Sequence, residues 1–142
     1  MKSINSISIL FYLTPEIEVN DMSYSDVMTQ LIQQAYFTYV VILDPNGAIY
    51  WTNNQNWQVD GEKIMSSWKS REPSITVGGT RFSSLMNNPG ESYVGRNLAG
   101  GGTIVLQKAP NGYSFLTWSS SETQIQPINI HAEVFRMAML FT

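Results

Sequence analysis

Apolar side chains recur along this chain at two different periods, and the changes of period mark its elements. From Ser23 the spacing is helical: Val27, Met28, Leu31, Ile32, Ala35 and Tyr36 share one stripe, with Gln30, Gln33 and Gln34 on the wet side. Ser23 and Asp26 open this helix as a capping box, a hydroxyl and a carboxylate three residues apart that satisfy the free N–H groups of its first turn. The run Phe37–Leu43 is then dense in β-branched and aromatic residues and predicts a strand. Asp44-Pro45-Asn46-Gly47 predicts a hairpin turn, and Ala48–Thr52 the return strand. Asp60 can cap a second, short helix over 61–69, in which Ile64, Met65 and Trp68 share a face while Glu62, Lys63 and Lys69 stay outside. Glu72-Pro73 closes it.

Strand patterns dominate the chain beyond Pro73. Ser74–Val77 runs through Gly78-Gly79 into Thr80–Met86, then come Ser92–Arg96 and Thr103–Leu106. Asn87-Asn88-Pro89-Gly90 and Ala109-Pro110-Asn111-Gly112 read as turns, and Tyr113–Ser119 is the strand after the second. Pro127 suits the first turn of a last helix, where its missing N–H costs nothing, and Ile128, Val134, Phe135, Ala138 and Met139 are its expected buried side. Antiparallel strands need their apolar face covered, and only the two terminal helices are long enough to cover it. The predicted class is therefore α+β: a central antiparallel sheet with the N- and C-terminal helices side by side on one face and the short helix on the other.

Upstream of this pattern, Ile7–Leu13 is an apolar run stopped by Thr14-Pro15 and too short to span a bilayer. With Lys2 alone before it and no small-residue cleavage pattern, it makes a poor secretory signal. Residues 1–20 are read as an extension able to add an edge strand, cover an apolar groove or stay mobile. Residues 21–142 are read as one domain, and 142 residues suffice for a single core.

Composition narrows the chemistry. Asp, Glu, Lys and Arg make up 13% of the chain, against roughly 25% in an average soluble protein, so neutral polar side chains supply much of the surface. The chain has no cysteine, which excludes disulfides, thiolate metal sites and cysteine nucleophiles. A single histidine, His131, rules out a multi-histidine metal site. His131 has Asn129 and Glu133 for sequence neighbours and no evident serine to activate, so neither a catalytic nor a metal site is expected, nor any cofactor. Gly100-Gly101-Gly102 lacks the lysine and the strand-to-helix context of a phosphate loop and reads as a turn. A net charge of -3 argues against nucleic acid as a partner. Residues 1–50 carry five acids and one base and the remainder six acids and seven bases, so the acidity is local.

Four short phrases in this order resemble one family, the profilins, over about 23–141. Asn46-Gly47-Ala48-Ile49-Tyr50-Trp51 is similar to the profilin hairpin return, with Tyr50 in the place of a tryptophan. Ile75-Thr76-Val77-Gly78-Gly79-Thr80-Arg81 is similar to the strand that runs into Gly-Gly and a lysine, with Arg81 keeping the charge. Arg96 followed by Gly100-Gly101-Gly102-Thr103-Ile104-Val105, and Asn129 at the start of the last helix, complete the likeness. The resemblance implies a non-enzymatic, cytoplasmic, cytoskeleton-associated monomer that binds actin monomers. It would bind through the short helix, the strands around two arginines and the start of the last helix: Val59, Lys63, Arg81, Arg96, Asn129 and Glu133. Lys69 and Arg71 would extend that basic rim, and Trp57 and Trp68 flank it. The implied mechanism is steric, one end of a bound monomer being blocked.

The resemblance also implies a groove for proline-rich peptides formed by Tyr24, Tyr50 and Phe141. This groove is partial, because Asp21 stands where a first N-terminal aromatic is usual and Ala138 and Phe141 stand at the C-terminal end. With its extension, the chain looks like one of the divergent profilins, archaeal ones among them. Phosphoinositides, which the family often binds, are weakly supported by eight basic residues in a net acidic chain. The alternative from another class is a roadblock, longin or PAS-like regulatory domain, which builds on a similar sheet and works through a homodimer or a GTPase partner.

Overall fold

The computed structural model describes residues 23–142. The extension over 1–20 and Asp21 lie outside them. At Ser23 the capping box is formed: its Oγ accepts from the Asp26 N–H at 3.2 Å, and the Asp26 carboxylate accepts from the Ser23 N–H at 3.4 Å. Helix α1 (Tyr24–Gln33) begins there. It ends earlier than its apolar stripe predicts, because Ala35 takes a left-handed φ of 65°. The Tyr36 N–H then donates to Leu31 O and the Ala35 N–H to Ile32 O, the two reversed bonds of a Schellman cap built on alanine instead of glycine. Ala35 and Tyr36 are thus outside the helix, although Tyr36 still packs against the core.

Strands β1 (Tyr39–Leu43) and β2 (Ile49–Thr52) form the predicted hairpin, with Asp44 Oδ1 accepting from the N–H groups of Asn46 and Ala48. Helix α2 (Gly61–Lys69) begins at Asp60, whose carboxylate caps the Lys63 N–H at 3.2 Å. A Cβ on Gly61 would press on the backbone of Gly47 and come within 2.9 Å of Leu43, so glycine lets this helix start directly against the hairpin turn. After α2 the chain runs through β3 (Ser74–Val77), β4 (Thr80–Asn88), β5 (Ser92–Asn97), β6 (Gly102–Lys108) and β7 (Ser114–Ser119) into α3 (Pro127–Ala138). Gly78 and Gly79, at φ of 59° and 81°, form the two-residue β3–β4 turn that demands positive φ at both positions.

These strands make one antiparallel sheet in the order β2-β1-β7-β6-β5-β4-β3. Alternation sorts its side chains into two cores. Val40, Ile42, Val94, Val105 and Phe115 pack under α1 and α3, with Val27, Leu31, Ile130, Val134, Met137 and Ala138 from the helices. Val41, Leu43, Ile75, Phe82, Tyr93, Ile104 and Leu116 meet Ile64, Met65 and Trp68 of α2 on the opposite face. The expected layers are therefore present. Tyr93 donates its hydroxyl to Phe82 O at 2.9 Å, and burial pushes its pKa up to about 12, so it stays neutral.

The buried side of α3 differs from the expected one. Ile130, Val134, Met137 and Ala138 are buried, whereas Ile128 is 75% and Phe135 46% exposed, and Met139 is partly buried. The helix carries two stripes: one is buried against the sheet and α1, and the other runs along the cavity beside β4 and β5. This second stripe is Ile128, His131 and Phe135, spaced by three and four residues on one helix face.

Ala35 occupies backbone space that glycine enters freely. Ala35→Gly should therefore stabilise the fold by about 0.5–1 kcal/mol, read as a higher urea midpoint at unchanged slope; a lower midpoint would contradict the cap geometry.

Candidate functional site

Two surface regions gather the side chains singled out from the sequence. The first lies where α3 leaves the sheet partly uncovered. Ser83 of β4 pairs with Arg96 of β5, so Arg81, two residues before Ser83, and Arg96, two after Val94, emerge on the same face as α3. Both arginines are exposed. Arg81 Nε donates to Ser74 Oγ at 3.0 Å, and neither arginine has a carboxylate partner among the described residues. Beside Arg96, a cavity of about 350 Å³ is lined by Leu85, Met86, Val94, Pro127, Ile128 and His131. Leu85 sits in the β-bulge between Ser84 and Met86 and is 56% exposed. Bulges re-aim side chains at functional edges, and here one adds an apolar side chain to a rim otherwise marked by cations.

The other predicted contacts are divided between α3 and a separate cleft beside α2. Asn129 is exposed in the first turn of α3. Glu133 is half-buried, and its Oε1 accepts from Arg136 at 2.6 and 3.1 Å, so its charge is already matched within the helix. Val59 and Lys63 are not brought to the arginine face. They line a separate cleft with Ile49, Trp57, Gly78 and Gly79, beside α2. Lys69 and Arg71 are exposed at the end of α2, Arg71 holding the left-handed position of a second Schellman cap. Trp68 is fully buried, its indole N–H donating to Ser92 O at 3.3 Å. Trp57 is half-buried against Tyr39, with ring centroids 5.6 Å apart.

Behind the cavity runs a short polar chain. Gln107 is 3% exposed on β6, and its Oε1 accepts from Ser92 Oγ at 2.6 Å and from His131 Nε2 at 3.1 Å, while its Nε2 donates to Lys108 O. Because an amide oxygen only accepts, the His131 proton sits on Nε2. Burial lowers the His131 pKa from its ordinary 6.5.

The second region is aromatic. Tyr24 lies 4.5 Å from Phe141 between ring centroids, and Tyr50 lies 6.2 Å from the same ring, so the three predicted groove residues meet. Tyr113 completes the cluster at 5.2 Å from Tyr50 and 5.4 Å from Phe141. An open groove of about 430 Å³ beside it is lined by Tyr24, Ser25, Met28, Tyr50 and Trp51. Sequence reading passed over Tyr113, although it stands directly after Gly112, at the end of the sheet where the Gly47 turn also lies. It also passed over Leu85, Met86 and Gln107, and it placed Ile128 in the core. No group of acidic or histidine side chains suited to a metal occurs among the described residues, and none of their helices is long and apolar enough to cross a membrane.

No family model matches the chain. In sequence it is 29% identical over 99 residues to Thor profilin of a Thorarchaeota archaeon (strain AB_25), across 68% of this chain and 76% of that one. In structure it superimposes on LokiProfilin2 from a complex with rabbit actin, with a TM-score of 0.68 and 18% identity over 80% of this chain and 91% of the other. LokiProfilin1 gives 0.67 and 19% over 81% and 92%, and Acanthamoeba castellanii profilin IB 0.65 and 17% over 82% and 94%. The architecture is thus the profilin fold. In sequence, too, the chain is similar to an archaeal profilin. Roadblock, longin and PAS-like readings are not favoured.

The lowered His131 pKa has a sign. The unfolded chain takes up its proton near pH 6.5 and the folded one only at lower pH, so His131 costs stability progressively as pH falls below about 6.5. Urea unfolding across this range should show His131→Gln losing less stability on acidification than the parent; equal losses would contradict the half-buried, neutral ring.

Proposed function

We propose that this protein binds actin monomers and regulates their polymerisation by occluding one end of the monomer. The observation that carries the reading is the face between β4, β5 and the start of α3. There Arg96 lines an exposed apolar cavity and Arg81 stands on the same sheet face, both without carboxylate partners among the described residues, on a fold shared with a profilin solved in complex with rabbit actin. Unpaired cations at a rim favour an acidic partner and steer its approach, while Leu85, Met86 and Ile128 offer the apolar centre from which such interfaces draw most of their affinity. A monomer held there cannot offer the covered end to another monomer, yet its opposite end stays free. Nucleation is suppressed and addition at the free end is permitted. Asn129 and Glu133 would add contacts from α3, and Val59 and Lys63 from the α2 side through a separate patch. The protein acts by binding, not catalysis, and an actin partner makes it a cytoplasmic protein.

We further propose that proline-rich segments dock on Tyr24, Tyr50, Tyr113 and Phe141. A polyproline helix is already extended and presents flat rings, so stacking it on aromatic faces needs little further ordering.

Sedimentation velocity with monomeric actin tests the first reading. A one-to-one complex is expected for the parent, and Arg81→Glu combined with Arg96→Glu should weaken it by about tenfold or more. Failure of the folded parent to bind would sink the reading, and an undiminished double variant would move the interface elsewhere. For the second reading, a proline-rich peptide should perturb tryptophan fluorescence in the parent but not in Trp51→Phe, and Tyr113→Ala should weaken that binding by about fivefold. A peptide that leaves the parent's fluorescence and sedimentation unchanged would refute the groove.

A further inference from the structure

The polar chain behind the arginine face has no role in seating a partner directly, yet it controls the charge of the one histidine on that face. Gln107 Oε1 receives both Ser92 Oγ and His131 Nε2, which leaves His131 Nδ1 as the only ring position able to take up another proton. Nδ1 has no hydrogen-bond partner among the described residues, and the ring borders the cavity that Met86, Arg96 and Ile128 also line. We propose that His131, held by Gln107, is a pH-sensing residue of this face: a proton added at Nδ1 weakens the binding of a partner seated on it. This rests on the actin reading and names a regulation of the same site.

The physical argument has two parts. In the free protein a protonated Nδ1–H can donate to water through the cavity mouth. A partner that fills the cavity removes that water and leaves a buried donor and its charge without compensation. The protein's own charges do not rescue it, and the largely apolar lining of the cavity favours an apolar side chain of the partner over His131, the partner's acidic groups facing the arginines instead. From β5 the facing charged group is Arg96, of the same sign; β4 contributes Leu85 and Met86, and β6 contributes the amide of Gln107. On α3 itself the neighbour is Phe135, with ring centroids 6.4 Å apart, and Glu133 is engaged by Arg136. Binding and protonation therefore oppose each other, and by linkage the partner's affinity falls as the free protein takes up this proton.

A single histidine makes the experiment unambiguous on this protein's side. Nitrogen-15 NMR of the free protein should show the neutral ring protonated at Nε2. Actin affinity is then measured by sedimentation velocity from about pH 7.5 to about pH 6 for the parent, His131→Gln and Gln107→Glu. The parent should lose more affinity than His131→Gln over this range, the excess growing toward the acid end and staying below about fourfold, because the ring takes up its proton below pH 6.5. His131→Gln carries actin's own pH dependence and serves as the reference. Gln107→Glu supplies a carboxylate that favours the charged ring, and should move the loss to higher pH. Parallel pH profiles for parent and His131→Gln, or a parent that binds more tightly in acid, overturn the inference while leaving actin binding intact. No complex at any pH overturns the actin reading and this inference with it.

Discussion

Pairing of β1 with β7 is the contact on which the rest of the molecule depends. It joins Tyr39 to Trp118 and Leu43 to Ser114, setting an early hairpin beside the end of a strand meander that began at the far edge of the sheet. Phe115 thereby comes beside Val40 and Ile42, which gives α1 and α3 a common apolar floor. The same pairing brings the turn ahead of Tyr113 alongside the strand that carries Tyr50. Without it each helix would bury part of a stripe, and the aromatic cluster would be divided among distant segments of chain. Such a pairing is non-local, so its loop-closure entropy must be met before either core can form.

How much could be read from the sequence depends on how local each signal is. Helix α2 was legible at both ends because Asp60 caps it and Pro73 stands just beyond it, both close in sequence to what they terminate. The end of α1 was not, since a left-handed alanine leaves no compositional mark comparable to glycine. On α3 the periodicity disclosed apolar residues but not which stripe has a neighbour; Ile128 and Phe135 looked like core and are instead the exposed stripe. Tyr24, Tyr50 and Phe141 were placed through a family resemblance, and the sheet does bring them together. Gln107 escaped because the apolar strand pattern stops at Leu106, one residue before the amide that organises the polar chain.

Sparse charge makes the remaining charges decisive. Among the described residues the ion pairs are Lys108 with Glu91 and Arg136 with Glu133, both with exposed or half-exposed members. Pairs of this kind contribute little to stability, so the fold rests on its two apolar layers. Arg81 and Arg96, outside those pairs, are then conspicuous in the local field. They keep a long-range influence on encounter with an acidic surface that a densely charged protein would blur.

Helix α3 also sets a distance. Ile128 lies in its first turn beside the arginine face, and Phe141 stands just past its last turn within the aromatic cluster. Its 12 residues form a rigid rod of about 18 Å. Cargo at one end and a tether at the other would ride together at a fixed separation, neither displacing the other. A scaffold studded with proline-rich segments could thus hand over monomers in a set orientation, with α3 as the strut between grip and load.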